Sequence, residues 1–223
     1  LPLVVVAAVI AYGFAASTLR ARVEEAAPAL SRTLAEKLDV RVLLWKGAPI
    51  PAFRPSRGDV RAMEESLTRH TRIETALEAC TGATHCHHEK TIVIDDRIAY
   101  VGGIDLTIDG GDPYDTPNHR ARGGIGWHDV AVRIEGPAVR DVAEHFRLRW
   151  QGATRETLPA AASTAMVGDV ELQVVRTLPA GTYRAARNGD YSILESYVSA
   201  LRSAEHLVYL ESQFPWTPEI VDI

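Results

Sequence analysis

The segment 91–101 constrains the fold of this 223-residue chain most strongly. Two short stretches, residues 91–94 and 98–101, consist mainly of β-branched and aromatic residues, and an Asp-Asp-Arg sequence beginning at Asp95 separates them. Residues of the first kind favour strands, and aspartate favours turns. The sequence therefore predicts a β-hairpin with a tight turn.

Strand and helix patterns alternate along the first 150 residues. Strands are predicted at residues 1–16, 40–45 and 127–134, in addition to the hairpin. Helices are predicted at residues 19–38, at 58–70 and from Pro137 to residue 150. This order predicts an α/β fold, with a layered and largely parallel sheet flanked by helices.

The apolar run at residues 1–16 has a second interpretation, a clipped membrane anchor. A bilayer span needs about 20 apolar residues, more than this run supplies. Its valine and isoleucine content suits a buried strand. We therefore expect a strand, with the anchor as the alternative.

Composition divides the chain into three parts. Residues 1–150 hold the alternating elements and are predicted to form a first catalytic lobe. Residues 151–168 are rich in Ala, Thr and Pro without periodicity, which is typical of a linker. Residues 169–223 return to an α/β pattern. We expect them to be the incomplete start of a second, similar lobe.

The patterns within residues 169–223 are short. Strands are predicted at residues 170–175 and 207–210, on either side of a helix at 191–204. A further helix start at Thr217 is followed by only one turn of sequence before Ile223. Because that helix is not finished, truncation of the lobe is expected.

Charge and cysteine content limit the classes of partner and compartment. The formal net charge of −5 gives no overall basic field, so no nucleic-acid partner is expected. Two cysteines, Cys80 and Cys86, make no disulfide framework. A cytoplasmic protein, or one peripheral at the membrane, is therefore predicted.

A His-x-Lys sequence opens the predicted hairpin. On a strand, His88 and Lys90 lie two residues apart, so both side chains point to the same face. Cleaving a phosphodiester without a metal requires a nucleophile, a cation for the non-bridging oxygens and an acid for the leaving alkoxide. His88 suits the nucleophile and Lys90 suits the cation.

Four further positions are candidates for supporting roles. Asp95, at the turn, is predicted to orient an imidazole or to pin the hairpin. Gly102 and Gly103 lack side chains, so their backbone could approach a phosphate and offer N–H donors. Asp105 could orient a catalytic histidine.

The cluster of His85, Cys86 and His87 beside Cys80 contains residue types that bind metal ions. Adjacent strand residues point to opposite faces, and the sequence has no Cys-x-x-Cys spacing. We therefore expect neither a metal nor another cofactor.

The sequence from His88 to Asp105 resembles the phospholipase D superfamily signature, His-x-Lys-x-x-x-x-Asp followed by a glycine-rich turn. The spacing from His88 through Lys90 to Asp95 matches throughout. The Gly-Gly-Ile-Asp form beginning at Gly102 resembles the phospholipase D branch, whereas nuclease-like members more often have Gly-Ser-x-Asn.

Two other stretches agree with this resemblance. One is Trp-His-Asp around His128, which we assign to the substrate side, with a structural role as the alternative. The other contains Glu211 and Gln213 and is similar to the Glu-Asn-Gln stretch that precedes the family's second motif. Ser212 replaces the usual asparagine, which puts one polar contact in doubt.

Family members generally carry two such motifs, one histidine attacking phosphorus and the other protonating the leaving group. This chain has a single His-x-Lys, because its other lysines are Lys37 and Lys46. The resemblance therefore implies an N-terminal half. The second histidine is expected from a missing C-terminal half or from a second subunit.

The implied activity is cleavage or transphosphatidylation of phospholipid headgroups at a membrane surface, through a covalent phosphohistidine. Two alternatives remain. One is a cardiolipin synthase-type phosphatidyltransferase or a nuclease of the same superfamily, although the acidic net charge counts against the nuclease. The other is an inactive half-enzyme or interaction module that lacks the second motif.

Overall fold

The computed structural model describes residues 3–7, 38–49, 55–79, 87–104 and 129–211, the first of these ranges as backbone only. The predicted helix at residues 19–38 lies almost entirely outside them. The chain divides into two compact units, Leu1–Val170 and Glu171–Ile223. Among the described residues, no helix has the length and apolar character needed to cross a membrane.

The first unit contains a six-stranded sheet in the order β3-β2-β1-β4-β5-β6. Its strands are β1 Leu3–Ala7, β2 Asp39–Trp45, β3 Glu74–Glu78, β4 Lys90–Ile94, β5 Ile98–Gly102 and β6 Ala131–Glu135. The α/β class and the strands predicted around residues 1–16, 40–45, 91–101 and 127–134 are confirmed. Strand β3 was not predicted.

The sheet is mixed, so the expectation of a largely parallel sheet is wrong. Strand β1 pairs with β2 in parallel, and β2 pairs with β3 in parallel. Strands β4, β5 and β6 follow one another antiparallel, and β4 joins β1 antiparallel. The alternation of strands and helices suggested crossover connections, but the hairpin places consecutive strands side by side.

The hairpin between β4 and β5 forms as predicted. Asp95 and Asp96 both have positive φ, 53° and 54°. The N–H of Arg97 donates to the carbonyl of Ile94 at 2.9 Å. Aspartate enters the left-handed region more readily than most residues, so this pair suits a turn with two such positions.

Helix α1, Arg57–Thr68, confirms the prediction at residues 58–70. It begins where Ser56 accepts the Asp59 N–H at 3.3 Å and the Asp59 carboxylate accepts the Ser56 N–H at 2.8 Å. This reciprocal capping box satisfies backbone donors at the helix start. The helix packs Val60 and Met63 against strand β2 on one face of the sheet.

Helix α2, Val139–Thr154, covers the opposite face of the sheet. Phe146 and Trp150 are fully buried and their rings stack with centroids 5.7 Å apart. Arg41 of β2 lies over the Trp150 ring at 5.8 Å. The helix predicted from Pro137 is therefore confirmed, and it extends to Thr154.

The segment after α2, predicted as a linker over residues 151–168, is packed onto the first unit. The backbone of Pro159 accepts from Arg147 Nε at 2.6 Å, and the N–H of Ala161 donates to Glu144 at 2.7 Å. The side chain of Leu158 is buried. Side chains of α2 thus satisfy backbone groups of this segment. Hydrophobic periodicity in the sequence does not reveal contacts of this kind.

The second unit contains β7 Thr177–Leu178, β8 Asp190–Tyr191 and α3 Ser192–Ser203. Helix α3 confirms the prediction at residues 191–204. The strands predicted at residues 170–175 and 207–210 are wrong, and Val170 and Leu207 there are highly exposed. An apolar run becomes a strand only where a neighbouring strand completes its ladder, and none pairs with these residues in the described chain.

A buried ion pair fixes the hairpin turn to α2. Arg147 Nη2 donates to Asp96 Oδ2 at 2.8 Å, and the same oxygen accepts the Ala162 N–H at 3.0 Å. Removing one partner of a buried pair leaves the other charge unpaired in the interior, which costs about 3–5 kcal/mol.

We therefore expect Arg147→Met to lower the free energy of unfolding by about 3–5 kcal/mol in chemical denaturation. The matched control is Arg133→Met, because Arg133 pairs with Glu135 at the surface, where such a pair contributes about 1 kcal/mol or less. Equal losses in the two variants would contradict the assignment of the Arg147 pair as an anchor of the hairpin.

Candidate active site

His88 and Lys90 meet on one face of the sheet, as their spacing predicts. Lys90 is the first residue of β4, and its Nζ lies 2.9 Å from His88 Nε2. The lysine is buried, whereas the imidazole is exposed. An ammonium group can only donate, so Nε2 accepts and the proton of a neutral His88 ring lies on Nδ1.

The residues on either side of His88 point to the opposite face, toward α2. Glu89 Oε2 lies 2.7 Å from His145 Nε2 and 2.9 Å from Arg149 Nη1. Its other oxygen, Oε1, accepts from Thr91 Oγ1 at 2.9 Å. The residue between histidine and lysine in the motif is therefore fixed to the helix behind the sheet.

Arg149 joins Glu89 to a second carboxylate. Its Nη2 and Nε donate to Glu78 Oε2 at 2.7 Å and 3.0 Å. His87 Nε2 lies 3.3 Å from the same Glu78 oxygen. We call these five residues the α2 clamp, which comprises Glu78, His87, Glu89, His145 and Arg149.

Sequence analysis missed the clamp, because nothing in the motif points to α2. His145 was not among the candidate residues, yet it is buried against Glu89. One signal was available. His145 and Arg149 lie four residues apart, so they share one face of a helix, and two such groups on the helix face toward the sheet indicate a buried acidic partner.

The clamp holds Glu89 ionised. Burial of the carboxyl opposes its ionisation, but the hydrogen bond from His145 and the charge of Arg149 outweigh burial and lower the pKa of Glu89 from the ordinary value of 4.5 to about 2. The carboxylate is therefore charged at neutral pH.

Asp95 does not join His88. It lies five positions after Lys90, and at about 3.3 Å per strand residue the turn lies at the far end of β4. Asp95 Oδ1 is buried and has no hydrogen-bond partner in the described part of the chain. The pinning predicted for Asp95 belongs to Asp96, which binds Arg147. The prediction that Asp95 orients an imidazole therefore fails for His88.

Gly102 and Gly103 allow close approach of the chain that leads into β6. A Cβ added at Gly102 would lie 2.6 Å from Ala131 Cβ, and one at Gly103 would lie 2.8 Å from Asp129 Cγ. The N–H of Gly103 donates to Val130 O at 3.0 Å. Packing thus accounts for both glycines, and the Gly103 N–H predicted as a phosphate donor is already used within the sheet.

The remaining predicted substrate residues are described only in part. Asp105, His128 and Gln213 lie outside the described residues, as do Cys80, His85 and Cys86 of the cluster considered for a metal. Glu211 belongs to the second unit, where it is exposed and accepts from Tyr209 Oη at 3.1 Å. Within the described ranges, no group of three His, Cys, Asp or Glu residues could hold a metal ion.

The sequence is similar to several phospholipases D. Phospholipase D A of Dictyostelium discoideum is 28% identical over 82% of this chain and 17% of its own length. Phospholipase D1 of Schizosaccharomyces pombe is 26% identical over 57% of the chain and 14% of its own length. No family model matches the chain.

A plant relative extends this similarity. Phospholipase D alpha 4 of Arabidopsis thaliana is 25% identical over 83% of the chain and 31% of its own length. Together with the α/β fold, these similarities support membership of the chain in the phospholipase D superfamily. The chain spans less than a third of the length of these three relatives.

The lowered pKa of Glu89 predicts a pH-dependent contribution to stability. A carboxyl whose pKa falls from 4.5 to about 2 on folding stabilises the protein above pH 4.5, and this stabilisation is lost as the pH falls toward 2. At neutral pH it is on the order of 3 kcal/mol, since one pKa unit corresponds to about 1.4 kcal/mol.

We expect Glu89→Gln to remove that pH-dependent part. The difference in free energy of unfolding between wild type and variant should therefore fall by roughly half between pH 7 and pH 3, as measured by urea denaturation at each pH. A difference that stays constant over this range would show that the Glu89 carboxylate is not stabilised by the clamp.

Proposed function

We propose that this chain carries the nucleophilic half-site of a phospholipase D-type phosphodiesterase, with His88 as the nucleophile. The observation that carries the proposal is the 2.9 Å contact between His88 Nε2 and Lys90 Nζ. The contact brings an unprotonated imidazole nitrogen beside a positive charge, with the His88 side chain exposed and Lys90 buried. Cleaving a phosphodiester requires a nucleophile and a cation close to the same phosphate group.

In the proposed first step, the non-bridging oxygens of the phosphodiester take the Lys90 ammonium as their partner, which frees Nε2. That nitrogen attacks phosphorus, the bond from phosphorus to the headgroup oxygen breaks, and the phosphatidyl group, still esterified to the lipid, remains on His88. The leaving headgroup oxygen takes a proton from an acid, because an alkoxide is a poor leaving group.

In the second step, water or an alcohol attacks phosphorus and the bond to Nε2 breaks, which regenerates His88. The attacking oxygen gives up its proton to the group that served as the acid. His88 cannot be that group, since it is bound to phosphorus at this stage. We propose that a second histidine supplies it, from another part of the protein or from a second subunit.

A phospholipid is the proposed substrate, on the strength of the names of the similar proteins, and the headgroup alcohol is the proposed leaving group. Neither step calls for a metal ion, because the ammonium of Lys90 carries the charge stabilisation. The net charge of −5 favours this substrate over a nucleic acid.

We expect His88→Asn in the full-length gene product to lower kcat for headgroup release from phospholipid vesicles by roughly a thousandfold or more, because no nucleophile remains. His88 is exposed, so the thermal unfolding midpoint should be unchanged.

The matched control is His70→Asn. His70 is exposed and has a φ of 60°, a left-handed conformation that asparagine adopts readily. It should retain full activity. Substantial headgroup release by the His88 variant would refute the nucleophile assignment.

A further inference from the structure

The backbone around His88 lies outside the strands that the structure describes. The ladder of β4 begins at Lys90, which pairs with Gly102, and residues 87–89 precede it. In a strand, ladder hydrogen bonds fix both the position of a residue and the face to which its side chain points. For His88, the contacts within the described residues that can fix both lie outside this ladder.

The α2 clamp provides two anchors, one on each side of His88. His87 contacts Glu78 at 3.3 Å, and Glu89 contacts His145 and Arg149 at 2.7 Å and 2.9 Å. Arg149 binds Glu78 as well as Glu89. A single guanidinium therefore connects the anchors before and after the nucleophile.

The charges of the clamp make it cooperative. Glu78 and Glu89 each bring a carboxylate to the single guanidinium of Arg149, at 2.7 Å and 2.9 Å. Glu78, His145 and Arg149 are buried. Removing one partner leaves another charge without compensation in the interior, and such networks act as rigid units.

We propose that Glu89 and Arg149 are positioning residues, which set the direction of the His88 ring and hence its contact with Lys90. The inference rests on the proposed function for its effect on catalysis. Because side chains alternate along an extended segment, fixing residues 87 and 89 on the α2 side directs residue 88 to the other face. Neither positioning residue needs to touch substrate.

The kinetic test uses Glu89→Gln and Arg149→Lys in the full-length gene product, with Arg147→Lys as the matched control. Arg147 lies on the same helix and also binds a buried carboxylate, but at the turn end of the hairpin. We expect kcat to fall tenfold to about a hundredfold in the first two variants, with KM within about threefold, because a nucleophile misplaced by about 1 Å costs that much.

The control should lower the thermal unfolding midpoint and leave kcat per folded molecule unchanged. If all three variants lose activity only in proportion to their unfolded fraction, the positioning role is overturned. Should Glu89→Gln and Arg149→Lys fail to fold, Thr91→Val carries the test. It removes the 2.9 Å contact to Glu89 Oε1 without changing any charge, and we expect a fall in kcat of about threefold.

A second measurement does not depend on activity. In protein labelled with ¹⁵N-histidine, the His88 ring of the wild type should give the signals of one tautomer, protonated on Nδ1. His88→Asn identifies these signals by their loss. In Glu89→Gln the ring should average between tautomers, because its direction is no longer fixed, whereas Arg147→Lys should match the wild type.

The two readouts separate this inference from the proposed function. An active His88→Asn variant would refute the nucleophile assignment, and the spectra would still decide whether Glu89 orients the ring. An unchanged His88 tautomer in folded Glu89→Gln would overturn the positioning role even if the nucleophile assignment stands.

Discussion

The buried guanidinium of Arg149 is the interaction on which the site depends. It joins strand β3, the segment before β4 and helix α2, through Glu78 and Glu89. Taking these charges out of water costs several kcal/mol for each ion, which close pairing and multiple hydrogen bonds must offset. A hydrophobic contact could hold α2 on the sheet, but it would not fix the direction of a single residue. We infer that the clamp serves specificity of geometry more than stability.

The side chains at the start of β4 point to two faces, and each face has its own set of contacts. On the side away from α2, the exposed His88 meets the buried Lys90 at 2.9 Å. On the α2 side, Glu89 is held ionised with its pKa lowered to about 2. Strand alternation keeps these two sets of charges apart although they are adjacent in sequence. A reactive imidazole can therefore stay exposed while its neighbours are fixed in the interior.

Sequence patterns predicted the features that depend on contacts between residues close together in the chain. The hairpin, α1 and the convergence of His88 and Lys90 follow from turn chemistry, capping and strand alternation. The remaining features depend on contacts between residues that are far apart in the chain. Asp96 rather than Asp95 anchors the turn because Arg147, 51 residues away, reaches that carboxylate. The supposed linker is packed because α2 binds its backbone. Residues 170–175 and 207–210 have strand-like composition but no described partner strand.

The central claim is that this geometry makes His88 Nε2 a nucleophile, and the site of the covalent intermediate tests it most directly. The full-length gene product would be mixed with phospholipid vesicles, quenched within milliseconds under conditions that preserve phosphoramidate bonds, digested, and mapped by tandem mass spectrometry, with ³¹P NMR to assign the nitrogen. The account predicts a phosphatidyl adduct on Nε2 of His88. Turnover with an adduct on another residue, or on Nδ1 of His88, would contradict it.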